Sequence, residues 1–276
     1  MVAPVTTPTS LPIAVFDSGV GGLTVLRALR AALPAEDFVY LGDTARLPYG
    51  TKSADTVSRY AMQAAGALVA RGAKCLVIAC NTASSVAIPA LAARFAPMPV
   101  IGVVEPGAEA AVRASRRDHV AVIATEGTVR GDAYHRAIAR IAPGVKVTQR
   151  ACPLFVSLAE EGWTDGPIAE AIARRYLEGL FAGPDAPDTL LLGCTHFPAL
   201  TAPIQRVAGP GVTIVDSAET TATATAARLA ALGLAREAGI GSIRLLATDG
   251  PERFARVGSL FSGEPVSAAD VELVDL

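Results

Sequence analysis

Seven short apolar runs punctuate the chain, and each stops abruptly at small or polar residues. They are Ile13–Phe16, Phe38–Leu41, Cys75–Ala79, Val100–Val104, Val120–Ala124, Leu190–Leu192 and Val212–Val215. Short, nearly continuous apolar runs suit strands buried on both faces, as in a parallel sheet covered by helices. The stretches between many of them carry a helical period. Leu23, Leu26, Leu29 and Leu33 recur at steps of 3, 3 and 4 and mark one helix face. Ala54–Ala70 and Pro167–Phe181 also read as helices. Strand alternating with helix predicts an α/β fold of the doubly wound, parallel-sheet kind.

The two halves echo each other. Ile13-Ala-Val-Phe-Asp17-Ser-Gly resembles Val120-Ala-Val-Ile-Ala-Thr125-Glu-Gly, and Leu76-Val-Ile-Ala-Cys80-Asn-Thr resembles Leu191-Leu-Gly-Cys194-Thr-His. Asp17 precedes Cys80 by 63 residues and Thr125 precedes Cys194 by 69. A weak repeat of this length is expected of two similar α/β domains; chance likeness between buried strands is the bland reading, weaker for the pair that ends in cysteine. Ligands of open α/β sheets bind beyond the carboxyl ends of the strands. Cys80 and Cys194 both fall there, so two such ends facing across a cleft would set a thiol on each side of a small molecule.

Composition narrows the choices. The chain has 276 residues, 51% of them hydrophobic, and a formal charge of −2. That suffices for one large α/β domain or two smaller ones. No block of Lys and Arg offers a footprint for nucleic acid. No apolar run reaches the roughly 18 to 20 residues of a membrane span. The first twelve residues are rich in Pro and Thr without the basic and apolar regions of a signal peptide; they read as a loose, flexible tail, and the expected location is the cytoplasm. Four cysteines are present, with no CxxC pair and only three histidines, so neither zinc nor any other metal is expected. In a reducing compartment disulfides are not expected either. Cys75 and Cys152 read as packed core thiols.

Three segments carry candidate chemistry. In Asp17-Ser18-Gly19-Val20-Gly21-Gly22 a glycine-rich turn joins strand to helix, as anion sites at helix N-termini do. The dinucleotide fingerprint is incomplete, because Thr24 stands at its third glycine and Asp17 would repel a pyrophosphate. A strand-end carboxylate better suits an ammonium group or the orientation of a base. In Cys80-Asn81-Thr82-Ala83 and Gly193-Cys194-Thr195-His196 a cysteine opens a helix-compatible stretch. Helix N-termini lower thiol pKa values, and the free N–H groups with Thr82 and Thr195 can hold a carboxylate. One strand-end cysteine is more often a packed thiol; two matching ones shift the balance to function. His196 stands two residues past Cys194, close enough to pass it a proton. Cys194 with His196 could begin a hydrolase site, which would leave Cys80 without a task. Last, Gly42–Gly50 is either a rigid turn-rich loop or the wall of a pocket.

Together these motifs resemble the bacterial glutamate racemases, within the wider aspartate/glutamate racemase group. The matching segments are Phe16–Arg27, Tyr40–Ser53, Ala79–Ser84, Ile101–Gly107, Thr125–Val129, Cys152–Val156 and Gly193–Leu200. The resemblance implies two α/β domains with the active site in the cleft between them, the C-terminal segment returning to the first. Residues 13–104 and 214–276 would form one domain and 105–213 the other. It implies that Cys80 and Cys194 are the two bases, the first serving the D-enantiomer and the second the L-enantiomer. Asp17 would assist Cys80 and His196 would assist Cys194. Substrate binding would fall to Asp17, Ser18, Tyr49, Gly50, Asn81, Thr82, Thr195 and His196. Glu160 is the nearest candidate for a helper acid, and Glu161 is the other. Departures from the family pattern are Leu47, Ser157 and Phe197, none of them a catalytic group.

The implied reaction interconverts L- and D-glutamate without a cofactor, one thiolate removing the α-proton and one thiol returning a proton to the opposite face. The carbanion must then be held by preorganised dipoles. D-glutamate would feed peptidoglycan synthesis, and a homodimer is expected. Direct contact with nucleic acid and association with a membrane are not. Three rivals stand beside this reading: a racemase of aspartate or another amino acid, a non-catalytic binding protein such as a partner of DNA gyrase, and a nucleotide-binding enzyme.

Overall fold

A computed structural model describes residues 8–276. The first part of the chain runs β1 (Ile13–Asp17), α1 (Leu23–Ala32), β2 (Phe38–Gly42), α2 (Ala54–Ala70), β3 (Cys75–Ile78), α3 (Asn81–Phe95) and β4 (Val100–Gly102). The middle runs α4 (Val104–Ala114), β5 (His119–Ala124), α5 (Glu126–Arg130), α6 (Ala133–Ile141), β6 (Lys146–Ala151), α7 (Leu154–Glu160), α8 (Gly166–Leu177), β7 (Thr189–Gly193), α9 (Thr201–Ala208) and β8 (Thr213–Asp216). The chain ends with α10 (Ser217–Ala231), β9 (Ile243–Ala247), α11 (Pro251–Ser262) and β10 (Val271–Leu273).

These strands build two sheets, and every described pairing is parallel. The larger has the order β10-β9-β2-β1-β3-β4 and the smaller β6-β5-β7-β8. The segment β2-β1-β3-β4 therefore has its counterpart, strand for strand, in β6-β5-β7-β8. In each sheet the winding reverses at one strand, β1 or β5, and the crevice beside its carboxyl end is where such folds bind ligands. The central strands β1, β2, β3, β5 and β7 are buried at every position, as their unbroken apolar runs require. Leu23, Leu26 and Leu29 of α1 are buried as one stripe, each contributing about 1.5–3 kcal/mol. After β8 the chain crosses back, and α10 packs on α1. Among the described residues no helix is long and apolar enough to cross a membrane.

Several expectations need correction. Strand β8 pairs with β7 in the smaller sheet, so the crossing back to the larger sheet follows Asp216 rather than residue 214; Asp216 caps α10 through the Ala218 and Glu219 amides. The helix expected to reach Phe181 stops at Leu177, shortly before Gly179 at φ 72°. Val104 opens α4 instead of ending β4. The flexible tail expected over 1–12 lies outside the described residues up to residue 7. Beyond it, Pro8–Ser10 forms a 3-10 turn. Its Thr9 carbonyl accepts from Lys74 Nζ at 2.7 Å, and the Pro12 carbonyl accepts from the Lys74 amide at 3.0 Å. Strands β6, β9 and β10 were not foreseen.

Candidate active site

Both strand-end cysteines reach the same place. Cys80 follows β3 and is the N-cap of α3, its Sγ accepting the Ala83 amide at 3.4 Å. Its thiol donates to Ser18 Oγ at 3.4 Å. Cys194 follows β7, with Sγ 3.9 Å from His196 Nδ1. The two cysteines line one cavity of about 440 Å³ together with Ser18, Tyr49, Asn81, Thr82, Thr195 and His196, a size typical of small-molecule sites. Gly50 and Glu160 also line it, so every expected site residue except Asp17 contributes to its wall.

Asp17 ends β1 fully buried beneath the glycine turn. Its Oδ2 accepts the Gly19 amide at 2.9 Å, while Oδ1 has no partner. A Cβ on Gly22 would stand 2.5 Å from the Asp17 Cβ, so only glycine lets the turn fold over that carboxylate. Burial raises the Asp17 pKa, opposed by the charge of His196 and by the amides of Gly22, Gly19 and Ser18. Thr24, the misfit to the dinucleotide fingerprint, donates to the Gly21 and Thr195 carbonyls at 2.8 and 3.3 Å. A Cβ on Gly21 would lie 2.4 Å from His196 Nδ1. The turn that would cradle a pyrophosphate is thus covered by the loop after β7, which disfavours the nucleotide reading.

The two thiols differ in surroundings. Burial pushes the Cys80 thiol up to about 12, and the nearby Asp17 carboxylate adds to the rise, against the hydrogen bonds that the Ser18 hydroxyl and the Ala83 amide can give the thiolate form. The lowering expected from a helix N-terminus is therefore outweighed by desolvation. Beyond Cys194 no α-helix starts at once: a 3-10 turn, Phe197–Leu200, precedes α9. Its neighbour is instead His196, whose Nε2 bonds Glu160 Oε1 at 3.1 Å. Burial would lower the His196 pKa, but the bonds to Cys194 and Glu160 win and push it up to about 10, so the imidazole is cationic at neutral pH. Glu160 meets His196 from the last turn of α7; Glu161, one residue on, is exposed. Phe197 is fully buried against Phe155, ring centroids 5.3 Å apart, an apolar slot that needs no hydroxyl.

The cleft is closed by contacts between the sheets. Thr82 Oγ1 lies 2.9 Å from Thr125 Oγ1 and 3.2 Å from Thr128 Oγ1. Asn81 Nδ2 donates to Tyr134 Oη at 2.7 Å, and its Oδ1 is buried without a partner. Tyr49 is fixed by a short hydrogen bond to Asp43, whose carboxylate also accepts from Arg46 Nε at 2.6 Å and Thr248 Oγ1 at 3.0 Å. A Cβ on Gly50 would lie 2.8 Å from Thr125 Cβ, so this loop touches the start of α5. The loop Gly42–Gly50 is therefore both rigid and a pocket wall. Thr125, Glu126 and Arg253 line the cavity without having been singled out as site residues. Thr125 was visible as the repeat counterpart of Asp17; Arg253 lies in no motif. Among the described residues no group of three or more His, Cys, Asp or Glu is arranged to hold a metal ion.

Two mirrored strand-end thiols in one cleft define the class of protein. The chain belongs to the Asp/Glu/Hydantoin racemase family, whose profile matches residues 15–225. Within it the similarity is to glutamate racemases. That of Geobacter metallireducens is 52% identical over 252 residues, covering 91% of this chain and 92% of its own. The crystal structure of the Thermus thermophilus glutamate racemase in complex with β-chloro-D-alanine superposes with a TM-score of 0.87 at 47% identity, over 97% of this chain and 98% of that one. The Francisella tularensis enzyme in complex with D-glutamate gives 0.89 at 34% identity, again over 97% and 98%.

Proposed function

We propose that the chain interconverts L- and D-glutamate by proton transfer between Cys80, the substrate α-carbon and Cys194. The observation that carries this is the pair of cysteines at corresponding ends of the two like-ordered sheets, both lining one cavity. In the resting form Cys80 is the thiol, in keeping with its raised pKa. Cys194 acts as the base, with His196 Nδ1 3.9 Å from its sulfur. This form accepts L-glutamate: Cys194 takes the α-proton and Cys80 delivers its own to the opposite face. The chain then holds a thiolate at Cys80 and a thiol at Cys194, ready for the D-enantiomer.

The carbanion is the costly species, and its charge spreads onto the α-carboxylate. Thr82, Thr195 and the free amides at the start of α3 are suited to hold that carboxylate, acting where charge develops rather than on the ground state. Tyr49 and Gly50 form the wall on which the side-chain carboxylate stays while the centre inverts.

The test is Cys80→Ser and Cys194→Ser, each followed by chiral assay and by deuterium uptake from solvent, with aspartate as the competing substrate. Both variants are expected to lose net racemisation; wild-type turnover in either one rejects the two-thiol scheme. The same reading assigns the product to peptidoglycan synthesis, tested by rescue of a D-glutamate auxotroph. It includes a cytoplasmic homodimer, tested by cell fractionation and sedimentation. A pull-down with DNA gyrase decides whether a protein partner is added to the catalytic role.

A further inference from the structure

Arg253 is electrostatically out of place. It lies in the first turn of α11, after Pro251 and Glu252, where unpaired amides already present partial positive charge and a cation is disfavoured. Its side chain is 53% exposed, yet Nη2 reaches Glu160 Oε2 at 2.7 Å, and that carboxylate is only 15% exposed. The other oxygen of Glu160 is the one on His196 Nε2. A line of contacts thus runs Arg253, Glu160, His196, Cys194.

The contact joins the two halves of the molecule. Helix α11 packs on α1 and β10, which belong with the larger sheet, whereas α7 packs on α8. The start of α11 is tethered in turn. Thr44 Oγ1 donates to the Asp249 carbonyl at 2.5 Å and accepts the Asp249 amide at 2.9 Å. Thr248 donates to Asp43, the same carboxylate that fixes Tyr49. Further along α11, Phe261 packs edge-on against the His196 ring, centroids 5.0 Å apart. Leu47, Glu160 and Arg253 line both the main cavity and a second one of about 90 Å³, so they form the partition between the two.

We infer that Arg253 is a positioning residue for racemisation: held by α11, its guanidinium fixes the Glu160 carboxylate on His196 and so orients the imidazole that faces Cys194. The inference rests on the racemase reading above. Arg253 acts through Glu160 and closes the partition on its outer side. A planar fork fits this task better than a point charge on a flexible stem. Direct capture of a substrate carboxylate is the rival role, but the guanidinium is already engaged by Glu160.

The experiment compares wild type, Arg253→Ala and Arg253→Lys in kcat and KM for both enantiomers across pH. Arg253→Ala is expected to lower kcat roughly five- to tenfold, the scale of one partly exposed charge-assisted hydrogen bond, with KM little changed. The charges facing Glu160 are His196 from the loop after β7 and Arg253 from α11, and Glu126 of α5 shares the cavity. Burial raises the Glu160 pKa, but the bonds and charges of His196 and Arg253 outweigh it and hold the carboxyl below its ordinary value, so loss of Arg253 moves the acid limb of kcat to higher pH. Arg253→Lys restores the limb and part of kcat. A wild-type kcat with an unmoved limb in Arg253→Ala overturns the inference. So does a large rise in KM with kcat intact, which would mean contact with substrate. Carbon-13 titration of the Glu160 carboxyl supplies a readout that needs no turnover. It should titrate at higher pH in Arg253→Ala, and an unchanged titration also overturns the inference. An inactive wild type would instead reject the racemase reading, leaving the carboxyl titration to judge Arg253.

Discussion

Replacing Asp43 by alanine should cost both stability and substrate affinity, because one buried carboxylate holds three donors. Asp43 is fully buried; Tyr49 is 1% exposed and the Arg46 side chain 19%. Truncation leaves the Tyr49 hydroxyl without its acceptor, a loss of about 1–3 kcal/mol. It also strands the Arg46 guanidinium, and breaking a buried pair costs about 3–5 kcal/mol. Arg46 keeps its bond to Gln63 at 2.6 Å and its stacking over Tyr60 at 4.2 Å, so part of that second loss is recovered. The net expectation is about 3–5 kcal/mol of destabilisation. With Tyr49 unmoored the pocket wall loosens, and KM for glutamate should rise roughly tenfold, about 1.4 kcal/mol of binding. The control is Tyr49→Phe, which removes one donor and leaves Asp43 with Arg46 and Thr248; it should cost only about 0.5–1.5 kcal/mol. Urea unfolding of both variants and their double mutant, with KM measured beside it, gives the coupling. A loss within about 1 kcal/mol for Asp43→Ala, the size of an ordinary surface change, together with an unaltered KM, would refute the reasoning.

Two further outcomes follow from the same site. Gly21→Ala sets a methyl 2.4 Å from His196 Nδ1 and 2.5 Å from Thr195 Oγ1; the chain should still fold, as read by circular dichroism, but kcat should fall by more than about tenfold as the imidazole is displaced. Stability should decline on the alkaline side. The folded His196 pKa, about 10, lies above its ordinary 6.5, so its contribution is complete below 6.5 and is lost as pH rises through 10. Cys75, Cys80 and Cys152, each pushed up to about 12 with burial the largest cause, add a further loss above 9, where the unfolded thiols ionise first. Unfolding free energies from pH 6 to 11 should fall, and His196→Asn should flatten the lower part of that slope.

How much could be read from the chain itself depends on whether the signal was local. Strands β1, β2, β3, β5 and β7 sit between helices on both faces, so their apolar runs stood out. Strand β6 lies at the edge of the smaller sheet, and its Lys146-Val-Thr-Gln-Arg-Ala carries polar residues that mask it. Strand β10 is another edge, only three residues long. The cysteines, Tyr49 and Asn81 were legible because each stands in a compact motif. Arg253 was not, since its meaning is a contact with Glu160 made 93 residues away. The raised pKa of Cys80 was missed for a different reason. A helix start is visible in a sequence, whereas the depth of burial that outweighs it is a property of the folded chain. Glu160 and Glu161 could be separated only once the end of α7 showed which of them turns inward.

The like order of strands in the two sheets bears on how such a catalyst can change. Mirror-image substrates have equal free energy in water, so no alteration of the protein can tilt their final balance; it can alter only how quickly balance is reached and which bound form accumulates. On the two-thiol proposal, a scaffold made twice over gives each hand of the substrate its own workbench. Natural variation can then retool one bench, with a carboxylate here or an imidazole there, while the other keeps its fittings.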